Sequence, residues 1–283
     1  MSKNSYLSIY AKSFNWAGFF LPKKTYQKCS SLYDFCRTVD NIADDHDELD
    51  IKKKKFLLFK NAFINKNFDN LIIKNMWDLM TDHKISIKII EDLFTGIESD
   101  LNEKVQLISK KDLLIYSYRV AGTVGLMMAK ILDVKDKDSM KAAIDLGIAM
   151  QLTNIARDVI EDSKNNRFYI QHDFQVIVDT LNLADLFYKS CFSSINKIPF
   201  NFRFTILVAR RVYRKIGDEI LKINNIEDYD KAGKIYVNNF AKFYQTALSL
   251  LDLIRLSLTI KKSHYMSDEH LLINEEIDLN ERI

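Results

Sequence analysis

The scarcity of glycine and proline constrains this chain more than any other feature. Seven glycines and two prolines occur in 283 residues, whereas average usage would give roughly 20 and about 14. Sandwiches, propellers and doubly wound sheets need many tight turns, which depend on these two residues. Since 47% of the residues are hydrophobic, extensive disorder is also excluded. The composition predicts an all-α fold with a single core.

The charge and cysteine content of the chain exclude several classes of protein. The 41 basic and 38 acidic residues leave a net charge of +3, which is too small an excess for a nucleic-acid-binding protein. The cysteines are odd in number and form no CxxC pair, as is typical of free thiols in a reducing compartment. The chain has no run of about 18 uncharged apolar residues and no signal-like amino terminus. We therefore expect a cytoplasmic protein.

Helical periodicity covers most of the chain, and each proline lies where a helix would begin. The apolar spacing predicts helices over residues 23–45, 110–132, 138–163 and 232–261, among others. A helical domain is predicted to span residues 1–262. Residues 263–283 are rich in Asp and Glu and are predicted to form a flexible tail.

The segment DFCRTVDNIADD, residues 34–45, places charged groups along one line of its helix. At about 100° per residue, Tyr33, Arg37, Asp40 and Asp44 lie close together beside an apolar arc. Aspartates four residues apart repel each other and weaken a helix by a few tenths of a kcal/mol. A single pair of this kind is typical of a solvated surface, but a divalent cation between the carboxylates would give it a function.

The segment QLTNIARDVIED, residues 151–162, repeats this arrangement. Gln151, Asn154, Asp158 and Asp162 share one line, and Arg157 adjoins it. Mg²⁺ prefers oxygen ligands and is commonly held by one or two carboxylates plus phosphate oxygens. Two such stripes facing each other across a bundle would hold a diphosphate, and their apolar arcs would hold a hydrocarbon chain. Zinc is a poor alternative because neither stripe contains His or Cys, and we interpret all five histidines as surface or structural residues.

At these residues the sequence resembles the squalene/phytoene synthase family of head-to-head prenyl transferases, and in particular its bacterial phytoene synthases. The similarity runs from about Tyr10 to Lys242. The motifs that carry it are KSF (12–14), YDFCRTVDNIADD (33–45), YRVAGTVG (118–125), QLTNIARDVIED (151–162), RFYI (167–170) and VYRKI (212–216). The resemblance implies a single-domain, all-α isoprenoid-synthase helical bundle around a central apolar cavity.

The resemblance also implies roles for individual residues. The positions that match ligands of Mg²⁺ (two or three ions, or Mn²⁺) are Asp40, Asp44, Asn154, Asp158 and Asp162. The positions that match contacts to the substrate or its diphosphate are Ser13, Arg37, Gln151, Arg157, Tyr213 and Lys234. Tyr33 is expected to act in catalysis with the four aspartates, and either Tyr33 or the released pyrophosphate could accept the proton. The departures from the family pattern are Tyr10, Ala11, Asn41 and Lys234.

The implied activity is the condensation of two geranylgeranyl diphosphates to phytoene, through a cyclopropyl (prephytoene) diphosphate, in carotenoid biosynthesis. The alternatives are a C15 head-to-head synthase making squalene, dehydrosqualene or presqualene diphosphate, and a non-catalytic family member acting as an assembly factor. Because prenyl substrates are apolar, peripheral contact with the inner membrane face is also expected. Gly122 and Gly125 indicate either close helix packing or space for the hydrocarbon. The sequence does not predict the oligomeric state.

Overall fold

The all-α prediction is confirmed. The computed structural model describes residues 12–258, 264 and 266–283. Its α-helices are α1 Lys12–Gly18, α2 Lys23–Asp44, α3 Leu49–Ile64, α4 Leu71–His83, α5 Ile87–Ser99, α6 Lys110–Ser117, α7 Thr123–Ile131, α8 Lys137–Arg157, α9 Val159–Lys164, α10 Phe174–Ser190, α11 Phe200–Ile220, α12 Ile226–Ala232, α13 Asn239–Leu258, α14 Asp268–Asn274 and α15 Leu279–Arg282.

Four short elements interrupt the helices within the described residues. A π-helical turn, Tyr118–Gly122, joins α6 to α7, and a 3₁₀ turn, Ser193–Lys197, follows α10. Strands β1 (Val105–Gln106) and β2 (Arg167–Phe168) form a parallel pair. This pair is the part of the fold that helical periodicity does not predict, and it brings the chain after α5 beside the chain after α9. Within the described ranges, none of the helices combines the length and hydrophobicity needed to span a bilayer.

Helix α8 is the central element of the bundle. It packs against α7, α10 and α11, and apolar or small residues occur on nearly all of its sides, as expected for a helix buried all round. Ile148 and Leu152 are fully buried in the core, whereas Leu146 and Met150 line an internal apolar cavity. The bundle is therefore built around a cavity, as the family resemblance implies.

Two glycines allow α7 and α8 to approach each other closely. A Cβ atom at Gly125 would lie 2.1 Å from the carbonyl oxygen of Ala143, and one at Gly147 would lie 2.2 Å from that of Ala121. Backbone atoms cannot move aside as a flexible side chain can, so both positions require glycine. Gly125 also lines the cavity, as does Gly147, so close packing and space for the hydrocarbon are both compatible with glycine at position 125, whereas Gly122 does not line the cavity.

We expect Gly147→Ala to lower the free energy of unfolding by about 1–3 kcal/mol, since overpacking of this kind forces backbone shifts. Gly217 provides the matched control. It also lies inside a helix, but a Cβ there would meet only the flexible side chain of Leu181, at 3.2 Å. Gly217→Ala should be neutral or stabilise by up to about 1 kcal/mol through helix propensity. Chemical denaturation of both variants tests this, and equal effects would contradict it.

A single helix over residues 138–163 is a wrong prediction. Helix α8 ends at Arg157, and α9 begins at Val159 after Asp158, whose φ and ψ are −106° and 15°. The hydroxyl of Tyr229 lies 2.9 Å from the carbonyl oxygen of Ala156 and 2.8 Å from that of Arg157. Because this hydroxyl lies within hydrogen-bonding distance of the last carbonyl oxygens of α8, the chain can turn at Asp158 without leaving these oxygens without a donor.

The described part of the predicted flexible tail, residues 264 and 266–283, is instead an ordered part of the bundle. Residues 268–274 and 279–282 are helical, and Ile273, Ile277 and Leu279 are buried. The acidic residues pair with the bundle surface, for example Glu276 with Arg119 at 2.7 Å. The composition of this segment is polar, but its apolar residues are spaced to face the bundle, and average composition does not reveal spacing.

Candidate active site

Both aspartate stripes contribute to one cavity of about 280 Å³. Its wall is largely apolar and comes from α2, α5, the π-helical turn, α7, α8 and α11. The residues of the two stripes that line it are Tyr33, Arg37, Asp40, Gln151 and Asn154. Tyr213 of α11 lines the same space. The inner parts of both stripes therefore face one cavity, whereas Asp44, Asp158 and Asp162 do not line it.

The stripe on α2 is held together by arginine. The Arg37 guanidinium donates to Asp40 through a short hydrogen bond and lies 3.6 Å from Asp44. Burial, followed by the nearby negative charge of Asp44, raises the pKa of Asp40 to about 7, against the opposing effect of Arg37. Any further positive charge that approaches through the cavity therefore stabilises the ionised form of Asp40.

The second stripe is divided by the turn at Asp158. Gln151 and Asn154 face the cavity from α8, whereas Asp162 lies on α9. Arg157 donates two hydrogen bonds to Asp158, at 2.8 and 2.5 Å, and Lys234 Nζ lies 3.4 Å from the same carboxylate. Burial, followed by the charge of Asp158, raises the pKa of Asp162 to about 8.

Arg167 lies between the outer aspartates of the two stripes. It lines one surface cleft together with Asp44 and a second cleft together with Asp162. Its guanidinium donates to Asp44 at 2.6 Å and to the carbonyl oxygen of Ala43 at 3.0 Å. Arg167 belongs to the RFYI motif, but no role for this residue is predicted from the sequence.

Asp100 is a further buried acid of this site that sequence reasoning missed. It accepts hydrogen bonds from Tyr116 at 2.8 Å and from Tyr169 at 2.7 Å. Burial raises its pKa to about 6, although Arg167 and both tyrosines oppose the shift. Its charge in turn contributes to the raised pKa values of Asp40 and Asp162, so Asp100 is close enough to both stripes to influence their ionisation. The residue follows α5 without helical spacing, and no sequence signal could have found it.

The remaining predicted residues lie at the edges of the site or outside the described residues. Tyr33 lines the cavity, and burial, followed by the nearby Tyr213, raises the pKa of its phenol. Lys234 pairs with Glu161 at 2.5 Å, so its positive charge lies beside the second stripe. Ser13 belongs to α1, but its side chain lies outside the part that the structure describes, as do Tyr10 and Ala11.

More than half of this chain matches a known protein family. Residues 7–174 match the model described as Squalene/phytoene synthase, and this stretch contains both aspartate stripes. The chain belongs to the squalene/phytoene synthase family. This confirms the resemblance carried by the sequence motifs.

Individual members of the squalene/phytoene synthase family extend the match over most of the chain. A 15-cis-phytoene synthase of Pantoea ananas is 27% identical over 247 residues, covering 76% of this chain and 80% of that protein. A 4,4'-diapophytoene synthase of Staphylococcus haemolyticus is 28% identical over 260 residues, covering 82% and 90%. The crystal structure of a dehydrosqualene synthase superposes with a TM-score of 0.74 at 24% identity, covering 89% and 95%. This last similarity shows that the fold is shared.

The donor groups of the two stripes fit a hard divalent cation. They are carboxylate and amide oxygens, the ligand type that Mg²⁺ and Mn²⁺ prefer. Asp40 and Asp162 each have a pKa raised by burial and by a neighbouring carboxylate on the same stripe. A cation would relieve this repulsion, because a nearby positive charge favours the ionised form of both carboxylates.

A second group of ligand-type side chains lies away from the cavity and does not fit a metal. The ligand atoms of Asp145, His264 and His270 lie within 4.8 Å of one another, and we call these three residues the tail cluster. The backbone N–H of Ser267 donates to His270 Nδ1 at 3.0 Å, so the ring proton is on Nε2, which donates to Asp145 at 2.9 Å. A metal on Nε2 would move this proton to Nδ1 and break the hydrogen bond from Ser267. His264 and His270 are therefore interpreted as structural residues, as the sequence predicts.

Proposed function

We propose that this protein is a head-to-head prenyl transferase that joins two geranylgeranyl diphosphates to phytoene, through prephytoene diphosphate, in carotenoid biosynthesis. The observation that carries the proposal is the meeting of two aspartate stripes at one apolar cavity. Charged groups suit a diphosphate and the apolar wall suits its hydrocarbon tail. The phytoene synthase named among the relatives supports the choice of product.

The proposed metal ligands are the oxygen-bearing side chains Asp40, Asp44, Asn154, Asp158 and Asp162, and the cofactor is Mg²⁺, as two or three ions, or Mn²⁺. When bound, the metal would draw charge from the diphosphate and so favour ionisation of the allylic C–O bond. Arg37, Arg157 and Lys234 supply positive charge for phosphate oxygens, with Ser13 as a further diphosphate contact. Gln151 and Tyr213 contact the substrate from the cavity wall.

The cavity wall protects the reaction from water. An allylic carbocation would be quenched by water, and apolar residues such as Leu146 and Met150 exclude it from the reacting carbons. The second substrate attacks through its 2,3-double bond, and loss of a proton closes the cyclopropane ring. The raised pKa of Tyr33 keeps its phenol protonated, so we assign proton acceptance to the released pyrophosphate and orientation of the substrate to the Tyr33 hydroxyl.

Incubation of the purified protein with Mg²⁺ and labelled C15 or C20 diphosphates tests the proposal. We expect phytoene from geranylgeranyl diphosphate. A C15-specific product would instead support the alternative favoured by the diapophytoene synthase among the relatives. The absence of any hydrocarbon, from folded protein supplied with both substrates, would favour a non-catalytic assembly factor.

The proposed location is the cytoplasm, with peripheral contact to the inner membrane face. The support is chemical, since both substrate and product are apolar chains that partition into lipid.

A further inference from the structure

Helix α13 (Asn239–Leu258) has its polar side turned inward. Its buried residues include Lys242, Gln245, Ser249 and Asp252. Its outer side instead carries large apolar side chains, each more than half exposed, which we call the apolar stripe: Phe240, Phe243, Tyr244, Leu251, Ile254 and Leu258. A surface helix normally buries its apolar side against the core, so this inverted orientation requires an explanation.

Buried polar contacts hold α13 in this orientation. Arg211 of α11 pairs with Asp252 through two hydrogen bonds, at 2.5 and 2.9 Å, and lies 3.3 Å from the Gln245 side-chain oxygen. Trp16 of α1 donates to Thr246 at 2.9 Å. Rotating the helix to bury the apolar stripe would break these contacts and leave Arg211 without its carboxylate. The stripe is therefore a fixed feature of the surface.

The apolar stripe has the dimensions of a protein interface. From Phe240 to Leu258 it is about 27 Å long at 1.5 Å per residue. Its side chains expose on the order of 800 Å², more than the few hundred Å² of a typical monomer patch. One partner of a standard-size interface contributes about the same area, roughly 800 Å². No other element within the described residues covers it.

We propose that the apolar stripe binds a second copy of this chain, with the two α13 helices antiparallel about a two-fold axis that crosses their outer sides at the height of residue 249. In this register Phe240 lies opposite the partner subunit's Leu258, and Leu251 lies opposite the small side chain of the partner subunit's Ala247. Large side chains thus meet across the whole length, and the alanine allows close approach at the centre.

Charge favours this occupant over a lipid surface. Arg255 is the one charged residue at an exposed position of α13, whereas helices that bind anionic membranes are typically rich in Lys and Arg. In the antiparallel register Arg255 lies beside the partner subunit's Tyr244, on the same flank of the interface, where a guanidinium can stack on the ring. The two copies of Arg255 are then about 18 Å apart, too far to repel each other strongly in physiological salt.

Analytical ultracentrifugation of the full chain tests the interface. We expect a dimer whose dissociation constant rises at least about a hundredfold on Leu251→Arg, because the substitution places a charge in the centre of an apolar interface. Leu58→Arg is the matched control, since Leu58 is an equally exposed leucine of α3, 61% against 56%, and should leave the dimer unchanged. Circular dichroism establishes that both variants fold.

Two substitutions at Tyr244 test the register. Tyr244→Glu places a carboxylate beside the partner subunit's Arg255 and should dimerise at least about tenfold more tightly than Tyr244→Arg, which places like charges together. Equal affinities would overturn the antiparallel packing. A native protein that stays monomeric at high concentration would overturn the interface itself, as would a dimer insensitive to Leu251→Arg. Binding of the monomer to phosphatidylglycerol vesicles, lost in Leu251→Arg, would assign the stripe to lipid instead.

Discussion

Asp158→Ala is expected to abolish turnover of prenyl diphosphates, and the isosteric Asp158→Asn to lower kcat/KM about a thousandfold. Asp158 is the proposed metal ligand on which Arg157 and Lys234 converge. Asparagine keeps the shape of the side chain but removes the charge that would hold the cation. Steady-state kinetics with Mg²⁺ and labelled substrate measures the effect.

Asp138→Ala provides the matched control for this loss. Asp138 also pairs with a lysine, Lys197, at 2.8 Å, but it does not line the cavity. This variant should therefore retain native kcat/KM. Full activity of Asp158→Asn would refute the assignment of Asp158, and equal losses in both variants would indicate a general effect on the fold.

Asp158→Asn should also change the stability of the protein in a pH-dependent way. The pKa of Asp162 is raised from 3.8 to about 8, so folding loses stability from this residue as the pH rises through that window. Asp158→Asn removes one cause of the shift and lowers the pKa of Asp162. In metal-free buffer, the melting temperature of the variant relative to the native protein should therefore increase between pH 4 and pH 8. A constant difference would contradict this interpretation of the pKa.

The parts of the site that the sequence predicts are those set by local geometry. Spacing of three and four residues on one helix places Tyr33, Arg37 and Asp40 together whatever the rest of the chain does. The same is true of Gln151 and Asn154. Apolar residues beside each stripe then predict that both face the interior, and the cavity confirms this.

The parts that the sequence does not predict depend on contacts between distant segments. Asp100 and Arg167 line the same cleft because β1 and β2 pair in parallel, and neither two-residue strand has a detectable period. The turn at Asp158 depends on the hydroxyl of Tyr229, from a separate helix. Neither contact has a local sequence signature. Helical periodicity therefore predicts a continuous helix through Asp158 and assigns no role to Asp100.

Asp145→Ala is expected to lower the free energy of unfolding by about 3–5 kcal/mol, the largest effect on stability that we predict. The Asp145 carboxylate is almost completely buried and accepts from His264 at 2.6 Å and from His270 at 2.9 Å. Although burial opposes it, hydrogen bonds from both histidines lower the pKa of Asp145, so the group is ionised at neutral pH. Alanine would leave both ring N–H groups buried without an acceptor.

Asp185→Ala is the control for this prediction. Asp185 pairs with Arg214 and Lys189, but its side chain is 28% exposed. Such pairs contribute about 0–1 kcal/mol, so its loss should be much smaller in chemical denaturation. Equal losses for the two variants would show that burial of the tail cluster contributes nothing. Native protein purified without chelators should also contain no stoichiometric zinc, because zinc on His270 Nε2 would break the hydrogen bond that Nδ1 accepts from Ser267.

The part of the chain that loses stability in Asp145→Ala distinguishes two roles of the Asp145 carboxylate. Residue 145 lies on α8, the helix that carries Gln151 and Asn154 to the cavity, and it joins the outer side of α8 to the segment 264–283. If the tail cluster serves mainly to attach that segment, amide exchange in Asp145→Ala should accelerate first in residues 266–283, with the cavity helices still protected. Uniform acceleration would mean that the carboxylate supports the whole bundle. The pairs that remain between the tail and lysines on α5 and α6 are largely solvent-exposed and contribute little to stability, so we expect local detachment to precede global unfolding.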